Sequence, residues 1–217
     1  MNKAPLVIWG ASGHAKVVAD AASIGEDYQI LGFLLDGLPS GTLSVFEGHP
    51  ILGGRDKLPE LRRAGSVKLI FGFADCKAKL HLSDLVTDAD IEFATVVHPR
   101  AVLARNAIIG AGAFIAAGAV VNPGTVLGRH VILNTLASVD HDCVIEDAAN
   151  ICPGVHLAGN VTIGKGAWLG IGSVVKEKTK VGAASVIGAG AVVVNDIPAG
   201  VVAYGCPARV KGEVKTQ

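Results

Sequence analysis

Within these 217 residues, the densest cluster of groups able to move a proton is Val139-Asp140-His141-Asp142-Cys143. An imidazole with an ordinary pKa near 6.5 suits general-base work at neutral pH. An adjacent carboxylate can fix its tautomer and favour the imidazolium formed during turnover, and His141 has one on each side. Asn134 stands seven residues earlier and Asn150 nine residues later. Gly159 lies eighteen residues on, and its main-chain N–H can approach a ligand without side-chain obstruction. The plainer reading is a surface histidine flanked by acidic neighbours. A nucleophilic Cys143 is the weaker alternative, since a cysteine in a small inward slot behaves as a small hydrophobe.

A second set of residues opens the chain. Leu6 to Trp9 form an apolar run followed by Gly10-Ala11-Ser12-Gly13-His14 and a helical stretch through Ala22. A second strand is expected over residues 29–35, ending at Asp36-Gly37, and a third from Val67 to Phe71. A charged helix is expected from Arg55 to Ala64, and another after Asp75. Strand, glycine turn, helix, strand describes a Rossmann-like βαβ unit in a small parallel sheet. The turn lacks a full G-x-G-x-x-G fingerprint. Its mechanics still suit a phosphate or nucleotide, because a helix N-terminus offers unpaired N–H groups. Asp36, at the end of the second strand, can accept hydrogen bonds from a ribose or base. The alternative is a tight structural turn with Asp36 solvating a loop.

The elements that must position His141 are set by a period. Every sixth residue from Val97 through Leu103, Ile109 and onward to Ile187 and Val193 is aliphatic. Two residues before each stands a mostly small one, among them Ala113, Ala119, Thr125, Ala137, Cys143, Ala149 and Ser173. A helix repeats near 3.6 and a strand at 2, so a sustained six describes a triangular parallel β-helix with about eighteen residues per coil. Each aliphatic is expected to stack on the residue eighteen positions away. Gly110, Gly128, Gly164, Gly170, Gly182 and Gly188 are expected to supply unusual backbone angles at the corners. The organisation is therefore an α/β domain over residues 1–96 and a β-helix over 97–217. His130, His141 and His156 fall on different parts of successive coils, against a three-imidazole metal site.

Composition narrows the class. The formal net charge is zero, so there is no electrostatic case for nucleic acid or an anionic membrane. Residues 106–128 carry no charge, yet their glycines, Pro123 and the unbroken six-residue beat speak against a membrane span. The N-terminal apolar run is too short for a signal peptide. Four cysteines without paired metal spacing imply reduced thiols and a cytoplasmic protein. Half the residues are hydrophobic, which flat prism sides buried in an oligomer would accommodate.

The chain resembles the left-handed β-helix acyltransferases, in the branch with a nucleotide-sugar-binding N-terminal domain. That branch includes nucleotide-aminosugar N-acetyltransferases and the sialic acid O-acetyltransferase group. The resemblance is carried by G-A-S-G-H-A-K-V-V at 10–18, V-H-P-R-A-V at 97–102, N-T-L-A-S-V-D-H-D-C-V-I at 134–145, the hexapeptides, and Y-G-C-P-A-R-V at 204–210. It implies left-handedness, a homotrimer, and acetyl-CoA in a groove between neighbouring prisms, with no metal. His141 would be the base, Asp142 its orienting partner, Gly159 the oxyanion donor, and Asn134 a positioning group. Gly205, Pro207 and Ala208 match the terminal segment near CoA, with Arg209 toward its phosphates. Gly10, Ser12, Gly13, His14 and Asp36 fall on nucleotide-binding positions. Asn150 departs from the pattern, since several aminosugar members carry a second histidine there. An amide can hydrogen-bond the thioester or substrate but cannot titrate. The expected reaction is acetylation of the 4-amino group of a nucleotide-linked deoxyaminosugar, with GDP-perosamine first and UDP- or dTDP-sugars next. The rivals are a sugar O-acetyltransferase and a non-catalytic prism.

Overall fold

The computed structural model describes residues 3–37 and 44–215, and the chain divides into two compact units between Pro99 and Arg100. In the first unit, β1 (Ala4–Trp9) is followed by α1 (Gly13–Ile24), β2 (Tyr28–Leu34), β3 (Val45–Phe46), β4 (His49–Gly53), α2 (Leu58–Ala64), β5 (Lys68–Phe71) and α3 (Cys76–Asp88). The sheet order is β3-β4-β2-β1-β5. Leu6, Val7 and Ile8 are fully buried, as expected for a central parallel strand covered on both faces. The Asp75 side chain caps α3 by accepting from the Ala78 N–H at 2.9 Å. Gly65 ends α2 in the left-handed region at φ 70°.

Two expectations need amendment here. The sheet is mixed, because β3 and β4 form an antiparallel hairpin at its edge. Glu47 and Gly48 both have positive φ, 47° and 77°, the pattern of a two-residue hairpin turn. Glutamate is a poor advertisement for such a turn, and a two-residue strand has no period to detect. The charged helix also begins with a short 3-10 turn over Arg55–Lys57, so α2 proper starts only at Leu58.

The second unit is a three-sided parallel β-helix. Two-residue strands lie on three sheets, each pairing with the strand eighteen residues away, as in Val121 with Val139 and Ile145 with Ile163. The register holds until the last coil, where Ile187 meets Ala203 and the repeat is two residues short. One inward column, Ile115, Leu133, Ile151, Leu169 and Ile187, is fully buried. Burying one such side chain stabilises the fold by about 1.5–3 kcal/mol. The small residues two places earlier, including Ala113, Ala119, Ala137 and Cys143, are also fully buried.

The corner glycines act differently from expectation. None of Gly110, Gly128, Gly164, Gly170, Gly182 and Gly188 has a positive φ. They are needed for space: a Cβ on Gly170 would stand 2.7 Å from the Ala189 nitrogen and the Ile187 oxygen. The left-handed slot falls two residues later, and non-glycine residues often fill it, among them His130, Leu136, Asp142 and Asn160.

Candidate functional site

His141 and Asp142 occupy the turn after the strand Ser138–Val139, at a corner of the prism. Asp142 takes the left-handed slot at φ 57°, a conformation that aspartate tolerates better than most residues. That backbone turn folds its carboxylate back onto the preceding ring, with Asp142 Oδ2 2.8 Å from His141 Nδ1. The previous coil leaves room for it, since a Cβ on Gly124 would collide with Asp142 Oδ1. The hydrogen bond to Asp142 is the main reason the imidazole pKa rises above its usual 6.5. Loss of hydration opposes the rise, and the charges of Asp140 and Asp142 reinforce it. An ionised carboxylate only accepts, so Nδ1 carries the proton and Nε2 is left to accept one. Both side chains are more than half exposed, so a substrate can reach them.

Gly159 lies against that ring. A Cβ there would stand 2.6 Å from His141 Nε2 and 2.7 Å from Cε1, so only glycine fits with the ring in this position. Among the described residues its N–H donates to no other group. An unpaired backbone donor beside a base is a competent oxyanion ligand. Cys143 is fully buried; its Sγ donates to the Ala158 carbonyl at 3.2 Å, and burial pushes its thiol pKa up. It is packed as part of the wall.

The other residues singled out from sequence are dispersed. Asn134 lies one side earlier, in the turn after Ile132–Leu133, where its Oδ1 accepts from the Thr135 N–H at 2.8 Å. Asn150 is buried on the strand Asn150–Ile151, on the sheet that carries Ile132 rather than the one that carries Ser138. Gly205 and Ala208 flank the cis Cys206–Pro207 bond and hydrogen-bond to Val192, through Val192 N to Gly205 O and Ala208 N to Val192 O. Val192 continues the column of Ser138, His156 and Val174, so the terminal segment closes the same prism face that leads to His141. Three rungs separate Ser138 from Val192, about 14 Å at ordinary inter-strand spacing. Arg209 is exposed beyond it, with Nη1 donating to the Ala208 carbonyl.

In the first unit, the glycine turn joins the carboxyl ends of β1, β2 and β5, where open α/β sheets bind ligands. Gly10 has φ 123° and packs against Gly72, and Ser12 Oγ donates to the Gly72 carbonyl at 2.8 Å, tying β1 to β5 across the point where strand order reverses. Gly13 opens α1 with nothing within 4 Å of where a Cβ would stand. His14 is lowered to about 4, first by burial and then by the charge of Lys79, so it is neutral at working pH. Lys79 itself is almost fully buried and is lowered to about 8 by desolvation. Partial burial pushes Asp36 up, but the side chain and N–H of Arg55 and the Trp9 side chain outweigh it and hold the carboxyl below its usual range. The sequence marks Arg55 and Trp9 only as element ends, and nothing in it singles out Lys79. They lie 19, 27 and 65 residues from the groups they meet, with no period to relate them.

Among the described residues, no three or more His, Cys, Asp or Glu side chains gather as a metal-ligand set, and no helix is long and apolar enough to cross a membrane. His156 Nδ1 lies 2.8 Å from Ser138 Oγ, and His130 is buried, each apart from the His141–Asp142 pair.

Residues 5–86 match the PglD N-terminal domain family. The chain is 33% identical to the GDP-perosamine N-acetyltransferase of Escherichia coli O157:H7 over 85% of its own length and 83% of the relative's. The acetyltransferase domain of PglB from Neisseria gonorrhoeae, in complex with acetyl coenzyme A, superposes with a TM-score of 0.90 at 34% identity, covering 97% of this chain and 100% of that one. A histidine-to-asparagine variant of the perosamine N-acetyltransferase from Caulobacter crescentus, in complex with CoA and GDP-perosamine, superposes with a TM-score of 0.90 at 33% identity, covering 96% and 97%.

Proposed function

Because the chain belongs to the hexapeptide-repeat acetyltransferases that carry a PglD-type N-terminal domain on a left-handed β-helix, we propose that it acetylates the amino group of a nucleotide-linked aminosugar with acetyl-CoA. The observation that carries this reading is the His141–Asp142 pair with Gly159 packed against the ring. A sugar amine is largely protonated near neutral pH and must be neutral to attack. Its nitrogen adds to the thioester carbonyl carbon while His141 Nε2 takes its proton. The negative charge that forms on the carbonyl oxygen is met by the Gly159 N–H. The C–S bond then breaks, and the proton passes to the leaving sulfur, giving the acetamide and CoA thiol. Acetyl-CoA is the co-substrate, and positioning, one base and one oxyanion donor suffice for the transfer. Asn134 and Asn150 are assigned to positioning the reacting groups.

CoA runs along the face between His141 and the Gly205–Arg209 segment, with Arg209 toward its phosphates. The nucleotide sits at the Gly10–His14 turn, where neutral His14 donates or accepts a hydrogen bond instead of supplying charge. Asp36 reads the base, and a carboxylate pairs two donors on guanine but one on uracil, which favours a GDP-sugar with a 4-amino group, of the GDP-perosamine type. The protein works as a homotrimer in the cytoplasm, consuming its sugar ahead of polysaccharide assembly. Ile108 and Val144, 62% and 42% exposed on one outer ladder, support prism-to-prism burial.

The test is a panel of amino and hydroxy nucleotide sugars incubated with acetyl-CoA, read by CoA release and by thermal shift, since a ligand of the folded state raises apparent stability. Acetylation of the amino sugars is expected; turnover of hydroxy sugars alone would overturn the N-transfer assignment. Sedimentation at micromolar concentration tests the trimer.

A further inference from the structure

His141 has a carboxylate on each side of it in sequence, and only one of them meets its ring. Asp142 Oδ2 lies 2.8 Å from Nδ1. Asp140 is turned away, its Oδ1 accepting from Asn122 Nδ2 at 2.9 Å and from the His141 N–H at 2.8 Å. Asn122 is the residue one coil earlier in the same column, held in place by its own N–H donating to the Val139 carbonyl. Thr125 Oγ1 donates to the Asp140 carbonyl at 2.8 Å and pins the backbone of the same turn. A carboxylate is a strong acceptor for an imidazole N–H, and two of them within one residue of the ring compete for it. Were Asp140 to take the ring proton, the imidazole would swing toward it and Nε2 would leave its place over Gly159.

We propose that Asn122 is a positioning residue for the transfer: by engaging Asp140, it leaves Asp142 as the carboxylate that orients His141. The inference rests on His141 being the base. Asn122 Nδ2 donates to Asp140 and not to the ring. It acts through Asp140, so its contribution falls on the geometry of the reacting nitrogen and leaves the binding of either substrate untouched. The ionisable groups that act on the ring are Asp142, by its hydrogen bond and charge, and Asp140, by its charge alone.

A double-mutant cycle on the full-length protein tests this. Asn122→Ala is expected to lower kcat about tenfold, with KM for acetyl-CoA and for the nucleotide sugar unchanged. Asp140→Asn alone sets a reference level, and the Asn122→Ala/Asp140→Asn double variant is expected to return to that level, because no carboxylate then competes. Losses that multiply in the double variant would show a structural role and overturn the inference. ¹⁵N NMR of the His141 ring gives an independent reading: protonated Nδ1 in the wild type, and a mixture of tautomers or ring positions in Asn122→Ala. An unchanged ring spectrum overturns the proposal. If Asn122→Ala fails to fold, Asn122→Ser, whose hydroxyl is too short to reach Asp140, takes its place in the cycle. His141→Asn is the control. Normal turnover in that variant removes the base, and the positioning inference with it; an inactive His141→Asn beside a fully active Asn122→Ala removes the positioning inference alone.

Discussion

The two candidate sites each contain a histidine, and the fold treats the two in opposite ways. His141 stands at an exposed prism corner, where Asp142 raises it above 6.5. His14 stands at the start of α1 in the first unit, where burial and Lys79 lower it to about 4. One is poised to exchange a proton near neutrality; the other is a neutral hydrogen-bonding group that does not titrate there. The difference comes from the architecture. A three-sided prism has thin walls and sharp corners, so a turn residue remains open to solvent. A βαβ turn sits where two strands and a helix converge, so a residue at the helix start is shielded.

The largest effect that would break this contrast is at His141. His141→Asn should cut turnover by about 10³-fold while leaving both substrates bound, as measured by steady-state kinetics and calorimetry. A comparable loss from His14→Gln, with nucleotide binding intact, would mean that the two histidines share the chemistry. Gly159→Ala comes next: the added methyl would stand 2.6 Å from Nε2, so the ring must move. Turnover should fall about 10²-fold with little change in thermal stability, because the ring is exposed and displaced outward.

The pH dependence sharpens the comparison. The base must be neutral to act, so kcat/KM should fall on the acid side with an apparent pKa above 6.5, the direction imposed by Asp142. Asp142→Asn removes that stabilisation of the imidazolium, so the acid limb should move to lower pH while the maximum drops by about tenfold from lost orientation. An acid limb that moves upward would contradict the assigned pairing.

His14 predicts a stability effect in place of a rate effect. Its folded pKa lies below its unfolded value, so the unfolded chain binds a proton more readily. Stability is present above 6.5 and is lost as pH falls toward 4, by up to about 3 kcal/mol. Thermal unfolding across that window, compared between wild type and His14→Gln, should show a smaller acid loss in the variant. The smallest effect expected is at Ser12, whose removal as Ser12→Ala deletes one half-buried hydrogen bond to Gly72. It should cost about 1 kcal/mol and weaken nucleotide binding only slightly.

Different parts of the protein are legible in sequence to different degrees, for physical reasons. The β-helix is legible because each coil repeats the same inward and outward alternation, so local pattern and global stacking agree. That His141 has an acid beside it is legible because the residues are adjacent, and Gly159 because register alone places it one coil away. The corner glycines were legible as positions but not in role, since crowding between coils depends on backbones eighteen residues apart. The β3–β4 hairpin, two residues on one side, offers no period at all.

The chain's own letters therefore determine a three-sided coil, an α/β unit before it, and an acid-flanked imidazole at one corner, because periodicity and adjacency are properties of the sequence. Only the tertiary structure decides which carboxylate meets the ring, that Asn122 engages the other, and that Asp36 already holds Arg55 and Trp9. Hydrogen bonds are settled by distances of about 3 Å between groups that the chain brings together from far apart, and no spacing along the sequence encodes those.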